Sequence, residues 1–132
     1  MKTSLPVVGL MLGDVTGIGP EISAKLLAAG ALQDKARMVV IGDARVLELG
    51  MRDAGVHLQY TVYPGIDEVK WPRSDVPVVD LKNIDPAQYR RGEMSPESGR
   101  LTGDTLKTMI DLALAGKLDG ICFAPLNKGA LH

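Results

Sequence analysis

Leu5-Pro6-Val7-Val8-Gly9-Leu10-Met11-Leu12 runs without a break into Gly13-Asp14-Val15-Thr16-Gly17-Ile18-Gly19-Pro20-Glu21, and an apolar-periodic stretch begins at Ile22. The first segment is continuous enough in apolar residues to be a strand buried on both faces. The glycines at 13, 17 and 19 let the backbone turn tightly and approach a ligand. Pro20 suits a first helical position, where a missing N–H costs nothing. A strand ends here and a helix begins. Free N–H groups and a partial positive charge at a helix start suit phosphates and other anions. Neither standard phosphate loop fits, however. A Walker A loop needs Lys and then Ser or Thr after its last glycine, where Pro20-Glu21 stands, and the glycine spacing breaks the dinucleotide fingerprint G-x-G-x-x-G. Asp14 and Glu21 would repel an adjacent phosphate. They either brace the loop and complement the helix dipole, or receive ligand hydroxyls.

Apolar runs alternate with helical periodicity along the rest of the chain, the pattern of an α/β fold with parallel strands and crossover helices. The helix from Pro20 places Ile22, Leu26 and Ala29 on one face and stops near Gly30. Arg37 to Gly42 reads as a second buried strand, and Asp43 caps a helix through about Ala54 that Gly55 closes. His57 to Val62 reads as a third strand and Pro77 to Leu81 as a short fourth, with loops at 63–77 and 83–93. Ser95-Pro96-Glu97 starts the longest helix, with Leu106, Met109, Ile110 and Ala113 facing the core and an end near Gly116. Gly120 to Ala124 is the last buried strand, delivering Pro125-Leu126-Asn127-Lys128. No repeat, low-complexity tract or internal domain boundary interrupts residues 1–132.

Composition narrows the function classes. The chain has 132 residues, 45% hydrophobic and 23% charged, with a net charge of -1, so one soluble globular unit is expected. With 15 basic against 16 acidic residues and one Trp, one Phe and three Tyr, there is neither a basic field nor a set of stacking platforms for nucleic acid. No apolar run approaches the ~20 residues of a membrane span, and the first residues lack a signal peptide's apolar region, so a cytoplasmic location is expected. Cys122, the single cysteine, sits in an apolar run and reads as an inert core thiol rather than a nucleophile. Arg90-Arg91 reads as solvated surface.

In open α/β sheets ligands bind outside the carboxyl ends of strands, which selects the loop after Leu12 and the loop after Ala124. Lys128, a cation beside a helix start, suits a phosphate or carboxylate. Asn127 is either a helix cap or a ligand contact. The candidate cleft residues are therefore Gly13, Asp14, Gly17, Gly19, Glu21, Asn127 and Lys128.

The exact residues carry a resemblance. Gly-Asp-x-x-Gly-Ile-Gly-Pro-Glu resembles the opening of the 4-hydroxythreonine-4-phosphate dehydrogenase family of vitamin B6 biosynthesis. Ala124-Pro125-Leu126-Asn127-Lys128 and Ala130-Leu131-His132 resemble its Ala-Pro-Leu-Asn-Lys-Glu-Ala-Leu-His block, and Ser98-Gly99 with its helix also matches. An isopropylmalate-type dehydrogenase shares the opening but not the second block. Two departures stand out. The family usually has Pro-Ala at Val15-Thr16 and Glu at Gly129, which leaves a different substrate open.

The resemblance implies the first lobe of a two-lobed enzyme with a three-layer sheet, related to isocitrate and isopropylmalate dehydrogenases. It implies NAD-dependent oxidation, with decarboxylation, of 4-phosphohydroxy-L-threonine, or of threonate or erythronate 4-phosphate or a dihydrodiol dicarboxylate in sister branches. It also implies a homodimer and a divalent metal (Zn, Mg or Co) held by histidines. Family members are longer, and their Gly-His-Thr-Glu segment and metal histidines fall after position 132. With only His57 and His132 present, three histidine ligands cannot be assembled. The expectation is thus an N-terminal portion, inactive alone, with no catalytic or metal-binding residue of its own. The alternative is a non-catalytic binding module.

Overall fold

The computed structural model describes residues 5–12, 19–30, 35–71, 75–88 and 96–123. Five strands and three α-helices alternate: β1 (Val7–Met11), α1 (Gly19–Ala29), β2 (Arg37–Gly42), α2 (Ala44–Ala54), β3 (Tyr60–Tyr63), β4 (Val76–Asp80), α3 (Pro96–Leu114) and β5 (Gly120–Phe123). Short 3-10 turns at Ile66–Glu68 and Pro86–Gln88 lie in the two long connections. The strands form one sheet in the order β3-β4-β2-β1-β5, and each neighbouring pair is parallel.

Side-chain alternation along the central strands explains the layers. Leu10, Val40 and Val78 point to one face and join Ala24 of α1 and Val46, Leu47 and Met51 of α2. Met11, Val39, Ile41 and Val79 point to the other and join Met109 of α3 and Leu118. The result is a helix, sheet, helix sandwich, in which each fully buried aliphatic side chain contributes about 1.5–3 kcal/mol. A parallel sheet needs both faces covered, and here both are. The start of β5 is tied to the start of β1 by a reciprocal pair: the Val7 N–H donates to Asp119 Oδ2 at 2.8 Å, and the Asp119 N–H donates to the Val7 carbonyl at 2.7 Å.

Helix ends follow the residues that mark them. Asp43 caps α2, its carboxylate accepting from the Arg45 N–H, and Gly55 closes it at φ 68°, a left-handed conformation that costs glycine nothing.

Four sequence expectations shift. The third strand begins at Tyr60, and His57 lies in the irregular segment before it. Gly120 to Cys122 are half-buried rather than buried, because β5 is the outer strand of the described sheet; Cys122 still packs against the core as a free thiol. On α3, Met109 is fully buried but Ile110 is 43% exposed. On α1 the buried face is Gly19, Pro20, Ser23 and Ala24, while Ile22 and Ala29 are exposed and Leu26 is half-buried. The reason is close helix packing. α1 lies so near α2 that only small side chains fit between the backbones, and the bulkier residues are turned aside.

Candidate active site

β1 is the strand at which the strand order reverses. The chain leaves it toward β2 on one side, while β5 lies on its other side, paired in register from Val8↔Gly120 to Met11↔Phe123. The helix after β1 covers one face and the helix before β5 covers the other. This is the topological switch point of an open α/β sheet, where a crevice forms beyond the carboxyl ends of two adjacent strands. In sequence, Gly13 to Glu21 follows β1 and Ala124 to Lys128 follows β5.

Among the candidate cleft residues, Gly13, Asp14, Gly17, Asn127 and Lys128 lie outside the described residues, as do Arg90 and Arg91. Gly19 opens α1 and is buried. Glu21, in the first turn, is half-exposed and pairs with Lys25 at 3.0 Å, one helical turn on. At that exposure the pair contributes little to stability, and Glu21 remains within reach of solvent beside the helix start.

A second cluster, missed in the sequence beyond its role as a cap, occupies the carboxyl ends of β2 and β4. The Asp43 side chain is 1% exposed. Its Oδ1 accepts from the Arg45 backbone N–H at 2.9 Å and from Arg45 Nε at 3.0 Å. Its Oδ2 accepts from an Arg45 terminal nitrogen at 2.9 Å and from the Ile84 N–H at 2.9 Å. Burial alone would push the Asp43 carboxyl up. The Arg45 side-chain hydrogen bonds and the Ile84 and Arg45 backbone donors outweigh burial and hold it below its ordinary value of 3.8. The same hydrogen bonds to Asp43 outweigh desolvation and raise the pKa of Arg45, which also reaches Asp85 at 3.6 Å.

Asp80, the last residue of β4, extends this clamp. Its Oδ1 accepts from the Ala44 N–H at 3.2 Å and from the Lys82 N–H at 3.0 Å, bracing a turn in which Lys82 is held at φ 53°. A non-glycine residue in that region carries strain that its surroundings must offset. Asn83 then donates through Nδ2 to Thr105 Oγ1 at 3.0 Å, and that hydroxyl donates to the Leu101 carbonyl at 3.1 Å. α2, the segment after β4 and the first half of α3 are therefore one hydrogen-bonded unit. It encloses a niche of about 10 Å³, the size of one water, lined by Leu12, Asp43, Ile84, Thr102 and Thr105 among others. Its sequence signal was modest: Thr102 and Thr105, spaced by three, interrupt the inward face of α3 and are both buried.

The larger concavity, about 430 Å³, lies between the end of α2 and the approach to β3, lined by Met51, Arg52, Val56, His57 and Tyr60. It sits at the amino end of β3, across the sheet from the switch point. Among the described residues no group of three or more His, Cys, Asp or Glu side chains is placed to hold a metal ion, and no helix is long and apolar enough to cross a membrane.

Residues 34–132 match the model of the family described as "Pyridoxal phosphate biosynthetic protein PdxA". The chain belongs to the PdxA family. A Rhizobium meliloti protein named "Putative 4-hydroxythreonine-4-phosphate dehydrogenase 2" is 39% identical over 133 residues, covering 99% of this chain and 38% of that protein. The D-threonate 4-phosphate dehydrogenase of Cupriavidus necator is 36% identical over 132 residues, 100% of this chain and 39% of the relative. Among solved structures, a 4-hydroxythreonine-4-phosphate dehydrogenase from Burkholderia phymatum superposes with a TM-score of 0.87 at 34% identity, covering 98% of this PdxA-family chain and 39% of that one. The chain spans about two fifths of the length of the relatives it matches.

Proposed function

We propose that this chain forms one wall of the active site of a PdxA-type dehydrogenase that oxidises the secondary alcohol of a small phosphorylated hydroxy acid, with NAD as hydride acceptor. The observation that carries the reading is the adjacency of β1 and β5. Two segments with family-like residues follow neighbouring strand ends at the point where the strand order reverses.

In this reading Lys128 anchors the substrate phosphate and Asn127 hydrogen-bonds a hydroxyl or carboxylate. Gly13, Gly17 and Gly19 let the backbone close on the ligand, and Asp14 and Glu21 accept from substrate hydroxyls. Binding energy from the phosphate, which itself does not react, orients the carbinol C–H toward the nicotinamide. Oxidation transfers that hydrogen as hydride and releases the hydroxyl proton. The resulting β-keto acid then loses carbon dioxide. The divalent ion that the resemblance implies finds no ligand set among the described residues. A homodimer in the cytoplasm goes with this reading.

Two substrates compete on specific grounds. 4-Phosphohydroxy-L-threonine is favoured by the name of the 39% identical relative, and D-threonate 4-phosphate by the name of the 36% identical one. Val15-Thr16 and Gly129, where the family pattern differs, fall in the two cleft segments. The test is NAD reduction by the complete gene product with each substrate, with and without a chelator. Turnover of one compound at least tenfold over the other is expected, and chelator-sensitive. A folded preparation that reduces NAD with neither refutes the dehydrogenase reading, and undiminished turnover in chelator refutes the metal requirement alone.

A further inference from the structure

We infer that Gly50, in the middle of α2, is a positioning residue for the ligand-facing first turn of α1. The inference rests on the dehydrogenase reading above for its functional half and on backbone geometry for its structural half. A β-carbon placed on Gly50 would lie 2.1 Å from the Pro20 carbonyl oxygen, 2.5 Å from the Pro20 carbonyl carbon and 3.1 Å from the Glu21 nitrogen. All three are backbone atoms. No rotamer change can relieve the overlap, so α1 and α2 must separate.

The contrast with Gly9 makes the point specific. A β-carbon there would meet Leu118 Cδ1 at 2.9 Å and Met109 Cε at 3.2 Å, the ends of side chains that can swing away. At Gly55, Gly103 and Gly116 it would meet nothing within 4 Å. A glycine inside a helix costs roughly 1 kcal/mol relative to alanine, so its presence in α2 has an energetic disadvantage that close packing offsets. That packing seats Gly19, Pro20 and Glu21, the turn that leads out of the candidate loop at the switch point. Displacing such a turn misplaces the groups that it presents to the ligand, which weakens binding more than it slows the chemistry.

The experiment compares Gly50→Ala with Gly9→Ala in the complete gene product. Both crowd the core, but only the first pushes on the α1 backbone. Gly50→Ala is expected to speed hydrogen exchange at the amides of residues 21–24 and to raise KM for the phosphorylated substrate about tenfold, with kcat changed less than threefold. Gly9→Ala is expected to do neither beyond twofold. Exchange and KM for Gly50→Ala within twofold of the Gly9→Ala values overturn the inference. If Gly50→Ala does not fold, Leu27→Ala decides, because Leu27 packs on the core cluster shared by α1 and α2. A KM no higher than that of Gly9→Ala overturns the inference there too. If the wild type turns over no substrate, the proposed function fails by itself, and unchanged exchange at residues 21–24 still overturns the positioning role.

Discussion

Replacing Asp43 with alanine is expected to lower the stability of the fold by about 2–4 kcal/mol, the cost of a lost helix cap and of a buried backbone donor left without its acceptor. Four donors converge on this carboxylate: the Arg45 N–H, two Arg45 guanidinium nitrogens and the Ile84 N–H. Loss of the helix cap accounts for about 1 kcal/mol, and a buried Ile84 N–H left without an acceptor adds about 1–3 kcal/mol. Arg45→Ala should cost less. The Asp43 carboxylate would keep both backbone donors, and with them the helix cap.

The pH dependence has a definite sign. The Asp43 carboxyl is held below its ordinary value in the folded chain, so between the folded and unfolded values the unfolded state binds the extra proton. Its contribution is complete above pH ~4, near the ordinary carboxylate value, and is lost as pH falls through the folded value. Denaturant unfolding across pH 2–7 checks both points (~2–7 spans the carboxylate range). Asp43→Asn should flatten the acid limb relative to wild type. A loss below about 1 kcal/mol for Asp43→Ala would show that the clamp contributes no more than an ordinary helix cap.

Lys128→Ala is expected to raise KM for the phosphorylated substrate by about 10- to 100-fold, corresponding to the loss of one charge-assisted hydrogen bond of ~1.5–3 kcal/mol. The phosphate takes no part in the bond changes at the carbinol carbon. kcat should therefore fall less than KM rises. Lys128→Arg keeps the charge but changes its shape, and should recover part of the affinity. Competition by inorganic phosphate gives a second readout, weakened in Lys128→Ala and intermediate in Lys128→Arg. Unaltered KM and unaltered phosphate competition would remove Lys128 from the site.

Much of this fold was legible because its signals are local. Continuous apolar runs marked β1 and β2, Asp43 and Gly55 bracketed α2, and Pro96 opened α3. What was illegible depends on pairs distant in sequence. The insertion of β4 between β3 and β2 has no local signature, and neither does the bond from Ile84 to a helix cap 41 residues earlier. The face of α1 was misread because apolar periodicity rewards Ile22, Leu26 and Ala29. The buried face is instead Gly19, Pro20, Ser23 and Ala24, and the Pro20 backbone lies against the bare backbone of Gly50, where small size matters more than hydropathy. For the candidate site, the two motifs were readable as segments that follow strands. The adjacency of the strands that they follow was not, since it arises only when β5 pairs with β1.

The pairing of β5 with β1 sets the ends of those two strands side by side, and a bound ligand reports on what gathers there. Crystals of the complete gene product grown with D-threonate 4-phosphate or 4-phosphohydroxy-L-threonine, without NAD, should show the phosphate seated against the segments that follow Met11 and Phe123. A phosphate seated instead in the groove between α2 and β3, beside Arg52 and His57, would contradict the account.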